Sequence, residues 1–245
     1  MQQHLPALRL FIGFWAVTGL AGALFWGWKG TEESFLILHQ LRNGWLNLSM
    51  PHITHLGDGL LMCGVIGFIL ARKDPALAIT FFLALLITGT IVNVSKQFLF
   101  PDMHRPAVIF AGRSDLFLIS LGRERLFSFP SGHAAAAVTA AWFGALTGYP
   151  QPDISSRKPL WVAVFFALFS AVIAYSRIYI GVHFLRDVLA GAAIGTGVAA
   201  VCYRWLYPAY LRGMKRPERS ARIWQVLFGL AIPGALIWIW FNYYQ

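Results

Sequence analysis

Seven apolar runs separated by polar or mixed segments constrain this chain more than any other feature of its sequence. A run of roughly 20 apolar residues crosses the hydrocarbon core of a bilayer as a helix, because a helix satisfies its backbone hydrogen bonds internally. Of the 245 residues, 58% are hydrophobic and 12% are charged, whereas a soluble domain carries about 25% charged residues. We therefore predict an all-helical, multi-pass integral membrane protein. The predicted spans are 8–28, 56–71, 76–95, 131–148, 160–179, 188–205 and 223–241.

The net charge of +10 is also found in nucleic-acid-binding proteins, but the sequence contains no DNA- or RNA-binding motif. In a membrane protein the excess of basic residues indicates cytoplasmic anchoring charges and an anionic substrate. The cysteines, Cys63 and Cys202, both lie in apolar runs and predict no disulfide framework. The N-terminus has no small-residue cleavage site, so we interpret the first run as a retained span.

Polar residues with catalytic potential cluster in the segment 176–187, between the fifth and sixth runs. If the chain is helical from His183, Asp187 lies one turn away on the same face. A carboxylate there accepts one ring N–H of the imidazole and leaves the other nitrogen free to attack. Arg177 is suited to hold a planar anion in a forked grip. The alternative for this segment alone is a histidine that caps a helix end.

Two further segments upstream complete a pattern. Pro130-Ser131-Gly132-His133 opens an apolar helix, whose first N–H groups form an anion site. Lys96 closes the third run, and Arg105 precedes a proline. The ordered set resembles the type 2 phosphatidic acid phosphatase (PAP2) superfamily, whose signatures are K-x6-R-P, P-S-G-H and S-R-x5-H-x3-D. The second and third match without a gap, while the first departs because eight residues separate Lys96 from Arg105.

The resemblance runs from about residue 56 to residue 203 and implies a role for each motif residue. His183 is the nucleophile that forms a phosphohistidine, Asp187 fixes its tautomer, and His133 is the general acid and then the base. No metal or other cofactor is expected, because cationic side chains supply the positive charge. The phosphoryl oxygens are bound by Lys96, Arg105, Arg177, the Ser131 hydroxyl and the Gly132 N–H.

The family is often built on six core spans, so the seventh is interpreted as an addition. We divide the chain into an N-terminal span with an interfacial helix (1–55), a PAP2-like catalytic core (56–206), and a basic loop with a C-terminal span (207–245). With a cytoplasmic N-terminus, the short inner loops collect most of the basic residues. All three motifs then fall on the outer face, which is periplasmic if the protein resides in a bacterial inner membrane.

The expected partners are membrane lipids and a lipid phosphate substrate, not nucleic acid, and the oligomeric state is left open. The candidate lipids are undecaprenyl diphosphate, phosphatidylglycerol phosphate, phosphatidic acid and lipid A 1-phosphate. Two alternatives are kept: a phosphotransferase of the same family, and a non-catalytic lipid-binding or transport protein. The second alternative would not need His183, Asp187 and His133 together. A soluble vanadate-dependent oxidase and a haem protein fit the sequence less well.

Several residues outside the motifs carry weaker predictions. The stretch 30–50 is interpreted as one interfacial helix or an ordinary connecting helix, and 97–128 as a lid or a plain linker. Asp58 is a helix-start residue rather than a substrate contact. Close helix packing is predicted at alanines 134–137 and three glycines. For three scattered histidines, surface or capping roles are favoured over a metal site. These glycines and histidines are Gly191, Gly195, Gly197, His39, His52 and His55.

Overall fold

The computed structural model of the chain describes residues 5–118, 126–148, 158–214 and 217–243. Within these ranges the chain is helical and contains no strand, as the apolar runs predict. Short turns connect the helices, including a 3₁₀ turn at Thr54–Gly57 and a π-helical turn at Ser95–Leu99. The helices are α1 (Leu5–His39), α2 (Gly44–Ile53), α3 (Gly59–Lys73), α4 (Pro75–Val94), α5 (Pro106–Ile109), α6 (Gly132–Gly144), α7 (Lys158–Tyr179), α8 (Leu185–Gly213) and α9 (Pro217–Tyr243).

Helix α6 runs through the centre of the bundle and packs against α3, α4, α7 and α8. Every residue from 134 to 146 is buried. Small residues permit the close approach of α8: a Cβ on Gly191 would lie 2.4 Å from the Ser131 carbonyl oxygen, and one on Gly195 would lie 2.5 Å from that of Ala135. The packing prediction is confirmed at these two glycines. It is wrong for Gly197, where a Cβ would meet nothing within 4 Å.

Among the residues that the structure describes, five helices are long and apolar enough to cross a membrane on their own: α1, α4, α7, α8 and α9. The predicted second span corresponds to α3, which passes the same test only together with the preceding helix, at a bend of 67°. The predicted fourth span corresponds to α6, whose 13 residues are fewer than the roughly 20 that a straight span needs. The count of seven spans therefore stays a prediction.

The N-terminal region differs from the expected span followed by one interfacial helix. Helix α1 continues to His39 and changes direction at Gly30, whose φ of 75° is a conformation that glycine adopts without steric cost. A second helix then starts at a new cap, because the Asn43 side chain accepts the backbone N–H of Leu46 at 2.9 Å. The single helix over 30–50 is therefore wrong. Its first part belongs to α1 and its second part to α2.

An aspartate caps the start of α3, and a second aspartate at the end of α3 caps the start of α4. The carboxylate of Asp58 accepts the backbone N–H groups of Leu60 and Leu61 at 2.9 and 3.0 Å, which confirms Asp58 as a helix-start residue. Asp74 caps α4 in the same way and also accepts the hydroxyl of Tyr207 at 2.7 Å. This bond holds the end of α8, which continues to Gly213 rather than ending near residue 205.

The C-terminal helix α9 packs mainly on α3. The contact is close because α3 presents glycines: a Cβ on Gly64 would lie 2.7 Å from Ile232, and one on Gly67 would lie 2.6 Å from the ring of Phe228. The other faces of α9 carry exposed apolar side chains. The predicted additional apolar run is therefore a helix on the outside of the bundle, away from α8.

Candidate active site

The three motifs meet at the end of the bundle where α6 and α8 begin and where α4 and α7 end. The backbone N–H of Ser131 donates to the carbonyl oxygen of Asp187 at 2.9 Å, which joins the second motif to the third. The Ser131 side chain is fully buried and accepts the N–H of Ala134 at 3.4 Å, so it caps α6. Capping uses a lone pair of this hydroxyl and leaves its proton available to another acceptor.

His183 and Asp187 face each other within the third motif, and both are buried. The Nδ1 atom of His183 lies 3.5 Å from Oδ2 of Asp187. The same oxygen accepts the backbone N–H of Phe184 at 2.9 Å and the hydroxyl of Ser128 at 2.6 Å. The Ser128 oxygen also lies 3.5 Å from Nδ1 of His183. The carboxylate is therefore fixed from several sides, and the second ring nitrogen of His183, Nε2, is the one directed away from it.

Three basic side chains lie within electrostatic range of His183. Burial lowers the pKa of His183 well below its usual range, and the positive charges of Arg105, Arg177 and Lys96 lower it further. The imidazole is therefore neutral at physiological pH. A neutral ring keeps the lone pair that a nucleophile needs, and the surrounding positive charge suits an anionic group beside it.

The two motif arginines are buried and held by groups outside the motifs. Arg177, 2% exposed, donates from Nη1 to the hydroxyl of Thr54 at 2.5 Å. Arg105, 4% exposed, donates from Nε to the carbonyl oxygen of Leu126 at 3.3 Å. Such fixed guanidinium groups suit an anion with several charged oxygens, because less side-chain entropy is lost when the anion binds.

Lys96 and His133 line a pocket of about 190 Å³, together with Asn93 and Gly132. Lys96 lies in the π turn, where the Phe100 N–H bonds to the Ser95 carbonyl oxygen. This wider turn accommodates part of the longer spacing between Lys96 and Arg105 while Lys96 stays beside the second motif. The rest of the pocket lining is small or apolar: Gly57, Gly59, Leu85, Thr88, Gly89, Val92 and Ala136.

The Nε2 atom of His133 is buried and has no hydrogen-bond partner within the described ranges. His133 also lies within electrostatic range of Arg177, His183 and Lys96. A buried polar atom without a partner costs roughly 1–3 kcal/mol, so its presence in a pocket indicates a partner that binds there. The structure thus brings all eight predicted site residues to one end of the bundle.

Sequence reasoning missed three residues of this site. Ser128 bonds to the carboxylate of Asp187, and its only signal is its position shortly before the second motif. Thr54 and His55 come from the 3₁₀ turn before α3: the first binds Arg177, and the second lies within electrostatic range of His133. The predicted lid over 97–128 falls partly outside the described residues, since 119–125 are not included.

Comparison with known proteins covers the part of the chain that carries these residues. Residues 77–210, more than half of the chain, match the PAP2 superfamily, and they include all three motifs. The chain belongs to the PAP2 superfamily. The resemblance deduced from the three motifs is therefore confirmed.

Relatives within the PAP2 superfamily carry phosphatase names. Over 165 residues the chain is 33% identical to phosphatidylglycerophosphatase B of Bacillus subtilis, a match that covers 63% of this chain and 72% of that enzyme. A shorter match, 33% identical over 73 residues, joins it to undecaprenyl-diphosphatase of Sulfolobus acidocaldarius and covers 31% of that enzyme. The two names refer to different lipids, so they do not select a substrate.

The fold is similar to that of the crystal structure of LpxE from Aquifex aeolicus. The TM-score is 0.58 at 27% sequence identity, and the match covers 71% of this chain and 95% of that one. Together with the five apolar helices of membrane-spanning length in the described part of the chain, this similarity confirms the predicted all-helical membrane bundle with a PAP2 core.

Proposed function

We propose that the protein is a membrane phosphatase that hydrolyses a lipid phosphate or diphosphate through a phosphohistidine intermediate. The observation that carries the proposal is the buried His183–Asp187 pair within electrostatic range of Arg105, Arg177 and Lys96. A neutral imidazole oriented by a carboxylate is a nucleophile, and three cations next to it attract a phosphoryl group. A protein that only bound phosphate would need the cations but not the oriented histidine.

In the first step Nε2 of His183 attacks phosphorus, and the bond from phosphorus to the lipid oxygen breaks. His133 donates its proton to that oxygen as the lipid leaves. In the second step His133 takes a proton from water, the water oxygen attacks phosphorus, and the phosphorus–nitrogen bond breaks. Inorganic phosphate and the starting form of His183 result. The three cations, the Ser131 hydroxyl and the Gly132 N–H stabilise the charge on the equatorial oxygens in both steps.

The pocket at Lys96 and His133 supports a lipid rather than a soluble phosphate ester. Its lining combines Asn93, Lys96 and His133 with apolar and glycine residues of α3, α4 and α6. A molecule that carries both a phosphate and a hydrocarbon chain fits such a mixed lining. Its phosphate would lie beside Lys96 and His133 while the first part of the chain stays among apolar side chains.

Phosphate release from a panel of lipids tests this function. Purified protein in detergent is given phosphatidylglycerol phosphate, undecaprenyl diphosphate, phosphatidic acid and a lipid A phosphate, each with and without a chelator. We expect release from at least one lipid, unaffected by the chelator because side chains supply the positive charge. No release from any of them, or activity that a chelator removes and magnesium restores, would contradict the proposal.

We further propose that the site faces the outer side of a bacterial inner membrane, since the basic residues then concentrate in the inner loops. Ser114 lies near the end of the bundle that holds the site, whereas Arg212 lies near the opposite end of α8. Both residues are exposed. Cysteine at Ser114 should react with a membrane-impermeant thiol reagent added to intact cells or spheroplasts. Cysteine at Arg212 should react only after the membrane is opened. The reverse pattern would place the site in the cytoplasm.

A further inference from the structure

A histidine outside the three motifs, His39, lies at the end of α1 and is completely buried. Its ring stacks on Phe35 with 4.9 Å between centroids, and Phe35 contacts the rings of Phe110 and Phe184. The surface role considered for His39 is therefore wrong. Each ring nitrogen needs a partner in such a setting, because a buried polar atom without one costs roughly 1–3 kcal/mol.

The two ring nitrogens of His39 join segments that are far apart in sequence. Nδ1 lies 3.4 Å from the carbonyl oxygen of Ile178, and Nε2 accepts the backbone N–H of Phe117 at 3.1 Å. Because Nε2 accepts, the proton of the neutral ring is on Nδ1, which donates to Ile178. A single tautomer of the neutral ring therefore satisfies both bonds.

The bond to Ile178 reaches the turn that carries the nucleophile. Helix α7 ends here, and the last carbonyl groups of a helix have no partner within it. The carbonyl oxygen of Arg177 accepts the N–H of His183 at 3.1 Å, and that of Ile178 accepts the N–H of Gly181 at 3.0 Å. His39 adds a second donor to Ile178, directly next to the arginine of the third motif.

The bond to Phe117 holds a short segment, residues 115–118, which we name the strap. Arg42 donates to the carbonyl oxygen of Asp115, so the strap is bound at a second point. Its other end packs on the turn: Gly181 has a φ of +76°, and a Cβ there would lie 2.5 Å from a methyl carbon of Leu118. The strap therefore lies directly against the turn between α7 and α8.

We propose that His39 is a positioning residue for the phosphatase reaction, because it holds the strap against the turn that joins Arg177 to His183. The two hydrogen bonds of His39, which we name the bridge, fix the position of the nucleophile relative to the phosphate-binding arginine. This role rests on the proposed function, whereas the bridge itself is a geometric feature that requires no substrate. A small displacement is costly, since an error of about 1 Å in a reacting group lowers the rate by roughly 100-fold.

Two substitutions separate the bonds of His39 from its packing. His39→Phe keeps the flat ring on Phe35 but removes both hydrogen bonds, and we expect kcat/KM to fall roughly 10- to 100-fold. His39→Gln retains an acceptor near the Nε2 position, so its loss should be about threefold. Gln40→Ala is the matched control, since Gln40 is the exposed neighbour and should leave kcat/KM unchanged.

The coupling is tested by Phe117→Pro, which deletes the donor without touching the histidine. If His39 acts through the strap, the double variant of His39→Phe and Phe117→Pro should be no slower than the slower single variant. Losses that multiply would overturn the proposal. Should His39→Phe fail to fold, His39→Gln replaces it in the same comparison. The double variant of His39→Gln and Phe117→Pro should then be no slower than Phe117→Pro alone.

Amide hydrogen exchange in the peptide 113–118 measures the bridge without any substrate. We expect faster exchange at the strap in His39→Phe, and wild-type exchange in α6 and α9. Unchanged exchange at the strap, or faster exchange with an unchanged kcat/KM, overturns the proposal. If the wild-type protein releases no phosphate although the strap is protected from hydrogen exchange, the proposed function is wrong. The bridge is still present in that case.

Discussion

The two sides of the site are built differently. On the nucleophile side, Asp187 Oδ2 accepts bonds from Ser128 and Phe184 and lies beside His183. On the leaving-group side, His133 lines a pocket and its Nε2 atom has no hydrogen-bond partner within the described ranges. One side is assembled by the protein alone, and the other is completed by what binds.

This difference is expected from the chemistry proposed for each side. Phosphorus is attacked in the same way whatever lipid carries it, so the nucleophile can be fixed in advance. The leaving oxygen differs from one lipid to another in basicity and surroundings, so its proton donor must face an open pocket. Substitutions on the nucleophile side should therefore act equally on all substrates, and those on the leaving-group side should depend on the substrate.

The largest effect is expected for His183→Ala. No other motif residue can take the phosphoryl group, so kcat should fall by about 10⁴-fold or more for every lipid tested. His52→Ala, which alters an exposed histidine of α2, is the control. The measurement is phosphate release by variants that elute from detergent gel filtration as the wild type does. Release at the wild-type rate would end the phosphohistidine mechanism.

The next effect concerns His133→Ala and depends on the substrate. An alkoxide is a poor leaving group, since its conjugate alcohol has a pKa of about 16. A phosphate is a better leaving group, since its conjugate acid has a pKa of roughly 6 to 7. We expect kcat to fall about 100-fold or more for phosphatidic acid and far less for an isoprenyl diphosphate.

The comparison requires conditions in which chemistry limits kcat for both lipids. Each tenfold difference between them corresponds to about 1.4 kcal/mol of transition-state stabilisation. Losses equal within about threefold would remove His133 from the general-acid role. They would also mean that substitutions on the nucleophile side and on the leaving-group side have the same dependence on substrate, so the two sides would not differ in this way.

The smallest of these effects is expected for Ser128→Ala. It removes one of the two hydrogen bonds to Asp187 Oδ2 but leaves the one from Phe184, so kcat should fall about tenfold. KM should stay constant, and the loss should be the same for a monoester and a diphosphate. Ser114→Ala, at an exposed position, is the control. A loss that differs between substrates would place Ser128 on the leaving-group side.

Much of this organisation follows from local sequence patterns. The apolar runs predict the membrane helices because span length is set by bilayer thickness. The third motif places Asp187 four residues after His183, and a helix from His183 predicts their contact. The contact is present, but α8 begins only at Leu185, so Asp187 in its first turn reaches back to a histidine that precedes the helix. The helix-start role of Asp58 follows from a short acceptor before an apolar run.

Other features depend on contacts between distant segments, which no local pattern shows. Ser128 reaches Asp187 across 59 positions, and His39 reaches Ile178 across 139. The sequence also does not show the bend at Gly30 or the π turn at Ser95–Leu99, because each follows the end of an apolar run, where polar residues mark a change without its geometry. The eight residues between Lys96 and Arg105 signalled an irregularity but not its form.

The burial of α6 from Ala134 onward has a consequence for how the protein is made. Its 13 residues are too few to cross a bilayer alone, and its alanine-rich surface gains little from lipid contact. Its place at the centre is created by α4, α7 and α8, and α8 is synthesised after it. His133 can therefore reach its final position only once α8 has closed over Gly191 and Gly195. Chains interrupted before that helix should carry two of the three motifs and no assembled site.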